Sequence, residues 1–245
     1  MRRIFVEGEL SERIIIRGAD AHHLMHVMRA KAGQEITIVD GSSHIGRAEL
    51  VEFTADTVTA RLVERLEADT ESPIAIELAQ CLLKGDKPEF IVQKAVELGI
   101  VRIWPLVSAN CVVRYDAKKS AARRSRWQRI AEEAAKQCGR TALTEVREIF
   151  SLEAWLEQVT ADEDHLLLFC YENEDRQGLR DCLQETEARH ICLVIGPEGG
   201  FTLDEAELLR QHGARSVTLG PRILRAETAA VAAMSAVQYE LGDLG

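Results

Sequence analysis

Hydrophobic and polar positions change rhythm part-way along the chain. Up to about Leu66, apolar residues come in short runs: Arg13-Ile-Ile-Ile-Arg17, Gln34 to Asp40, His44 to Phe53 and Asp56 to Val63. Alternation places every second side chain on one face, so these runs predict strands. Strands this short, with Gly and Asp between them, predict a small barrel. One helix interrupts, Ala19 to Arg29, ended by Gly33 and with Asp20 at its N-cap. The polar stretch Glu67 to Pro73 reads as a linker.

Beyond it strands alternate with helices. Strands are predicted at Ile74 to Gln80, Val101 to Val107, His165 to Cys170, His190 to Ile195 and Ser216 to Gly220. Helices are predicted at Lys87 to Leu98 (closed by Gly99), Ser120 to Gly139, Leu203 to His212 and Glu227 to Leu241. Near-continuous apolar strands between helices predict an α/β fold with a mostly parallel sheet covered on both faces. The expected organisation is two domains, 1–70 and 73–245.

Composition narrows the class. The chain has 245 residues, 46% hydrophobic and 29% charged, with 30 basic and 40 acidic side chains and a formal charge of −10. This is an ordinary globular composition, not that of a disordered tail, a collagen or a coiled coil. No apolar run approaches the roughly 20 residues a membrane span needs. The opening apolar run is too short for a signal peptide, so a cytoplasmic protein without membrane contact is expected. The six cysteines, at 81, 111, 138, 170, 182 and 192, form no Cys-x-x-Cys pair and are expected to be reduced and mostly buried. His22 and His26 share a helical face beside His23, but no third ligand has suitable spacing, so no metal is expected.

Two loops that leave strands and enter helices carry the candidate chemistry. The first is Ile195-Gly-Pro-Glu-Gly-Gly-Phe-Thr202. Ligands of open α/β sheets bind beyond the carboxyl ends of strands, and glycines let backbone amides approach them. The same dipeptides also make an ordinary tight turn. A phosphate loop is disfavoured, because Gly-Lys-Ser/Thr is missing and Glu198 would repel phosphate. The second is Leu219-Gly-Pro-Arg-Ile-Leu-Arg-Ala-Glu-Thr-Ala229. Arg222 and Arg225 flank an apolar pair there, and Glu227 suits the start of a helix. Small residues after Ala229 permit close packing on the sheet or on another chain.

The acidic chain contains one basic segment. From Cys111 to Arg140 nine basic residues stand against Asp116, Glu132 and Glu133: Arg114, Lys118, Lys119, Arg123, Arg124, Arg126, Arg129, Lys136 and Arg140. Such a run is either a solvated helix face or a surface for nucleic-acid phosphates. Arg2, Arg3, Arg29 and Lys31 extend the candidate footprint. Among the tryptophans Trp104 reads as core, and Trp127, inside the basic helix, as the candidate for stacking on a base.

The two loops together resemble the RsmE family, bacterial 16S rRNA uracil-N3 methyltransferases of the SPOUT superfamily. His22-His-Leu-Met-His-Val-Met-Arg29 with Gly33, Asp40-Gly41, Lys84-Gly-Asp-Lys87, Gln93-Lys-Ala-Val-Glu-Leu-Gly99 and Glu132-Glu-Ala-Ala-Lys-Gln-Cys-Gly-Arg140 are similar to other family segments. The resemblance runs from about Arg3 to Tyr239. Met28 stands where the family often has Leu, and Ala226 where Thr is expected.

The resemblance implies a small N-terminal PUA-like β-barrel and a C-terminal SPOUT α/β knot, a deep trefoil knot. It implies a homodimer that uses S-adenosylmethionine to methylate N3 of one uridine in the decoding region of 16S rRNA, on the small ribosomal subunit. The implied cofactor residues are Ile195, Gly196, Glu198, Gly199, Gly200, Leu219, Gly220, Ile223, Leu224, Arg225 and Ala229. A sulfonium cation with an adenine and no phosphate suits a glycine loop with a Glu and no Lys. Methylation at N3 needs an in-line approach and loss of the N3 proton. Arg225 and Arg222 are candidates to stabilise the uracil anion, and Glu198 or Glu227 to take the proton. Glu227 alternatively only caps its helix, and Arg225 only pairs with it. The candidate RNA contacts are Arg2, Arg3, Arg29, Lys84, Lys87, Arg114, Lys118, Lys119, Arg123 and Arg124. Three alternatives stay open: ribose 2′-O-methylation, a non-catalytic RNA-binding assembly factor, and a nucleotide-binding regulator.

Overall fold

The computed structural model describes residues 3–6, 8–67, 70–159 and 164–245. They form two compact units. The first joins the described residues up to Glu71 with Ala135–Leu143; the second comprises Ser72–Ala134 and Thr144–Gly245.

The first unit contains β1 (Arg3–Phe5), β2 (Arg13–Arg17), α1 (Gly18–His22), a π-helical turn (His23–Val27), β3 (Glu35–Val39), β4 (Ile45–Phe53) and β5 (Thr57–Leu66). The strands form one sheet in the order β1-β3-β4-β5-β2. Only β1 and β3 pair in parallel. Register shifts between Arg47 and Ala48 and between Leu50 and Glu52 bend β4 against β5, and such bulges curl a sheet into a half-barrel. Alternation does what it predicts: β2 buries Ile14 and Ile16 and exposes its other residues. These join Leu24, Ile36, Ile38, Leu50 and Val58 in one core. The buried Asp40 carboxylate accepts from the N–H groups of Leu10 (3.1 Å), Ser42 (2.8 Å) and His44 (2.9 Å), which holds the β3–β4 turn.

Asp20 is not an N-cap. Gly18, at φ +61°, turns the chain directly from β2 into α1, so Arg17 takes the N-cap position. Asp20 falls in the first turn, where Lys136 Nζ reaches its carboxylate at 2.7 Å. The polar stretch after Leu66 is tied down at Glu71. Its carboxylate accepts from the Arg140 guanidinium (2.7 Å) and from the N–H groups of Thr141 (2.7 Å) and Ala142 (3.1 Å).

The second unit is built on β6 (Ala75–Cys81), α2 (Lys87–Glu97), β7 (Arg102–Val107), α3 (Ala117–Cys138), β8 (Glu145–Val146), β9 (Phe150–Ser151), α4 (Leu152–Leu156), β10 (His165–Cys170), α5 (Leu179–Gln184), β11 (His190–Ile195), α6 (Leu203–Gln211), β12 (Arg215–Val217) and α7 (Ala226–Leu241). Its strands run β12-β10-β11-β6-β7-β8, with β9 also on β7, and every pair is parallel. The central strands are buried almost throughout, as expected of a sheet covered on both faces. The small residues of α7 seat it closely on α2, α5 and β11. Gln238 fixes it further, donating to the Leu98 carbonyl at 2.7 Å and accepting from Ser72 Oγ. Helix α3 starts earlier than its basic pattern suggests, because Asp116 caps it by accepting from Lys119 N at 2.8 Å. Strand β12 is shorter than expected: from Thr218 onward the backbone belongs to a loop. Among the described residues no helix is long and apolar enough to cross a membrane.

Trp104 and Trp127 are both buried. Trp104 is core, its indole N–H held by the buried Glu77 carboxylate. Trp127 is core too, and not a stacking surface for RNA. It lies on the face of α3 that carries Ala131, Ala134 and Ala135, a spacing that makes one apolar stripe.

Candidate active site

The carboxyl ends of β10, β11 and β12 border an open cleft of about 1010 Å³. Its walls are the segments after those three strands together with Lys87 at the start of α2. This is the side of an open parallel sheet where backbone loops are free to differ from the strands and receive a ligand. The loops after β11 and before α7 meet here. Ile195, Gly196, Glu198, Gly199, Gly200, Leu219, Gly220, Ile223, Leu224, Arg225 and Ala229 all line this one cleft, and Arg222 joins them.

The glycines have separate reasons. Gly200 adopts φ +66°, the left-handed region that glycine enters without steric cost, and its N–H closes a turn onto the Pro197 carbonyl at 3.0 Å. A Cβ there would also strike the carboxylate of Glu172. Gly199 sits close against the turn after β7: a Cβ would come within 3.1 Å of Asn110 Cβ. The loop ends in a capping box, in which Thr202 caps Glu205 N and Glu205 Oε2 accepts from Thr202 N.

One cation organises the carboxylates. Lys87 Nζ lies 3.4 Å from Glu198 Oε1 and 3.1 Å from Glu227 Oε2. Arg225, the alternative partner for Glu227, adds to this through its charge. Burial pushes the Glu198 carboxyl up, but the N–H groups of Lys84 and of Glu198 itself, with Lys87, outweigh it and hold the group below its ordinary value. Glu227 is held low in the same way, by its own N–H and by Lys87 against burial. Lys87 is raised in turn, first by Glu227, with Glu198 adding to it. Arg222 and Arg225 are exposed at the cleft, and Glu227 sits in the first turn of α7 behind them.

The cleft also holds groups that the two motifs do not include. Lys87, expected among the RNA contacts, bridges both candidate bases. Glu172, Glu174 and Asp175 give the cleft an acidic wall; an acidic run directly after an apolar strand was the available signal. Asn110, from the turn after β7, donates through Nδ2 to the carbonyls of Gly199 (3.0 Å) and Gly200 (3.1 Å). Nothing in its local sequence marks it.

The basic footprint divides. Lys136 and Arg140 are buried and bound to Asp20 and Glu71, so they belong to packing. Arg123 and Arg126 share Glu89, Arg124 approaches Glu148, and Lys119 approaches Asp116. Arg114 and Lys118 are exposed. Lys84 is exposed, and its N–H donates to Glu198. In the first unit Arg3 donates to Thr70 Oγ1 at 3.4 Å, and Arg29 is exposed at φ +51°. Arg2 lies outside the described residues. Among the described residues no three His, Cys, Asp or Glu side chains group as a metal site. Cys81, Cys111, Cys182 and Cys192 are buried, Cys170 is half-buried and Cys138 is exposed.

The parallel sheet with its glycine-lined cleft and the curled β unit each match known proteins. Residues 70–238 match an RNA methyltransferase domain, and residues 16–63 an RNA methyltransferase PUA domain. The fold and cleft thus define an RNA methyltransferase of the SPOUT class with a PUA-like domain. Ribosomal RNA small subunit methyltransferase E of Bacillus subtilis is 34% identical, over 98% of this chain and 97% of its own. The crystal structure of a ribosomal RNA small subunit methyltransferase E from Neisseria gonorrhoeae bound to S-adenosyl methionine superposes with a TM-score of 0.90 at 32% identity, covering 100% of both chains. A Legionella pneumophila chain solved in complex with the bound cofactor SAM is also 32% identical, with a TM-score of 0.89 over 99% of this chain and 98% of its own. The chain belongs to the ribosomal RNA small subunit methyltransferase E family, RsmE.

Proposed function

We propose that this protein uses S-adenosylmethionine to methylate N3 of a single uridine in the decoding region of 16S rRNA. It acts on the small ribosomal subunit, in the cytoplasm, as a homodimer. Residues 1–70 form the RNA-binding domain and residues 73–245 the methyltransferase domain, whose last elements thread a trefoil knot. The observation that carries the reading is the convergence of both motif loops on one cleft at the carboxyl ends of β10, β11 and β12.

The residues present fit the cofactor. Gly196, Gly199, Gly200 and Gly220 offer open backbone, and Leu219, Ile223 and Leu224 offer apolar faces for an adenine. Glu172, Glu174 and Asp175 supply negative potential for a ligand with a sulfonium and an ammonium, and no lysine of a phosphate loop is present. When bound, S-adenosylmethionine supplies an activated methyl group. The chain's own residues then have three tasks. The cleft walls orient the uracil for in-line approach, which is often the largest contribution. Arg222 and Arg225 favour the uracil anion by meeting charge that develops on its exocyclic oxygens. Glu198 or Glu227, kept ionised by Lys87, accepts the N3 proton. Arg3, Arg29, Lys84, Arg114, Lys118, Lys119, Arg123 and Arg124 contribute cations for RNA phosphates.

Calorimetric titration with S-adenosylmethionine and with ATP is the first test, followed by mass-spectrometric mapping of methyl-uridine in small subunits incubated with the protein. Saturable binding of S-adenosylmethionine alone, with new N3-methyl-uridine at one site, is the expected result. Methylation of a ribose hydroxyl would replace the N3 reading. RNA binding without any methyl transfer would replace the enzyme reading with an assembly factor.

A further inference from the structure

The glycine loop is shaped from outside the cleft as well as within it. Asn110 is not among the residues that line the cleft, whereas Gly199 and Gly200, whose carbonyls it binds, are. A second tie runs through Glu205, which is buried. Its Oε1 accepts from Ala109 N at 2.7 Å, and its Oε2 from Thr202 N at 2.9 Å. The turn that carries Asn110 is itself closed: Ser108 N donates to Cys111 Sγ at 3.3 Å, and Cys111 N to the Ser108 carbonyl at 3.2 Å. The turn after β7 and the loop after β11 are therefore joined at both ends of the Gly199–Thr202 stretch.

We propose that Asn110 is a positioning residue for the cofactor loop: its side-chain amide pins the Gly199 and Gly200 carbonyls outward and so presets the backbone that faces the ligand. Peptide planarity supplies the mechanism. A carbonyl fixed on one side of a trans peptide sends the following N–H to the other side: after Gly199 that is the Gly200 N–H, which closes the turn onto the Pro197 carbonyl, and after Gly200 it is the N–H of Phe201. With two successive carbonyls held toward Asn110, the loop does not have to be ordered when the ligand arrives, and preorganisation of this kind raises affinity. Gly199 permits the approach, because any Cβ would crowd Asn110. This inference rests on the reading of the cleft as the S-adenosylmethionine site.

The experiment uses the full chain and three variants, Asn110→Ala, Asn110→Asp and Asn110→Gln. S-adenosylmethionine affinity is measured by calorimetry, and hydrogen exchange of the 199–202 amides is measured in the ligand-free protein. Asn110→Ala removes two partly exposed hydrogen bonds, for a loss of about fivefold in affinity. Asn110→Asp has nearly the same size but sets carboxylate oxygens against carbonyl oxygens, so its loss exceeds that of Asn110→Ala. Asn110→Gln keeps the amide and recovers part of the affinity. Exchange at 199–202 quickens in the same order, with the melting temperature within a few degrees of wild type. If Asn110→Asp matches wild type and Asn110→Ala is worse, side-chain volume is what matters and the proposal falls. Equal affinity and equal exchange in all four proteins also overturns it. Failure of the wild-type chain to bind S-adenosylmethionine would instead remove the function reading; the exchange order then still decides whether Asn110 holds the loop.

Discussion

Replacing Lys87 by Met tests how the cleft handles its protons. The ammonium sits between Glu198 and Glu227, at 3.4 and 3.1 Å. An ion pair at about this separation is worth about 1 kcal/mol in water and about 4 kcal/mol near a protein surface. All three side chains retain 18–29% of their exposure, so screening brings each pair to about 1 kcal/mol. Lys87 favours the ionised form of both carboxylates, so removing the cation moves their protonation upward. The sign follows from which form is favoured. In the wild type both carboxyls are held below their ordinary values, so an ionised base persists into mildly acidic solution. In Lys87→Met the neutral forms gain, and methyl transfer falls off at a higher pH. The assay is single-turnover transfer of labelled methyl to small subunits between about pH 5 and pH 9, the range where such a limb is readable. Lys87→Arg serves as the control that keeps the charge and the wild-type profile. A Lys87→Met enzyme with reduced amplitude and an unmoved acid limb would refute the reasoning and leave Lys87 as an RNA contact.

Further outcomes follow from single residues. Gly200→Ala must hold a left-handed conformation at a cost of about 1–2 kcal/mol, so S-adenosylmethionine binding by calorimetry weakens about five- to thirtyfold while global unfolding is little changed. Asp40→Ala leaves the N–H groups of Leu10, Ser42 and His44 without their acceptor, and chemical denaturation should register a loss of about 2–4 kcal/mol. The Asp40 carboxyl is raised by burial, but those N–H groups outweigh this and hold it below 3.8. Its stabilisation is therefore complete above that value and is lost as pH falls through the lower folded one; Asp40→Ala should lack that part of the acid dependence. Trp127→Ala empties a core position, and urea unfolding should show a loss of about 3–5 kcal/mol, with unchanged RNA affinity for the folded protein. Weakened RNA binding by a stably folded Trp127 variant would contradict the buried assignment.

The order of strands and helices was largely legible because each prediction rests on near neighbours. Alternation in Arg13–Arg17 and the continuous apolar run of His190–Ile195 state how many faces each strand buries, and the structure follows both. Short elements escaped for the complementary reason. Strands β8 and β9 have two residues each, too few for a period to register. The displaced helix starts were local competitions: Gly18 and Asp116 moved helix starts that side-chain pattern alone put elsewhere.

The candidate site was legible as two motifs, since glycines and arginines in loops after strands keep their meaning without a partner in view. Which charges face one another was not legible. Lys87 lies over a hundred residues before Glu198 and still further before Glu227, and only the parallel order β10-β11-β6 brings the start of α2 to the loops that follow β11 and β12. Lys136 and Arg140 count as cations in the chain and as buried partners of Asp20 and Glu71 in the fold. Trp127 belongs to a basic stretch by sequence and to an apolar stripe by helical geometry. Spacing along the chain determines which elements form, because backbone hydrogen bonds and side-chain faces are local. Desolvation and charge pairing depend on what is close in space, so the chemical state of each polar group was decided by folding.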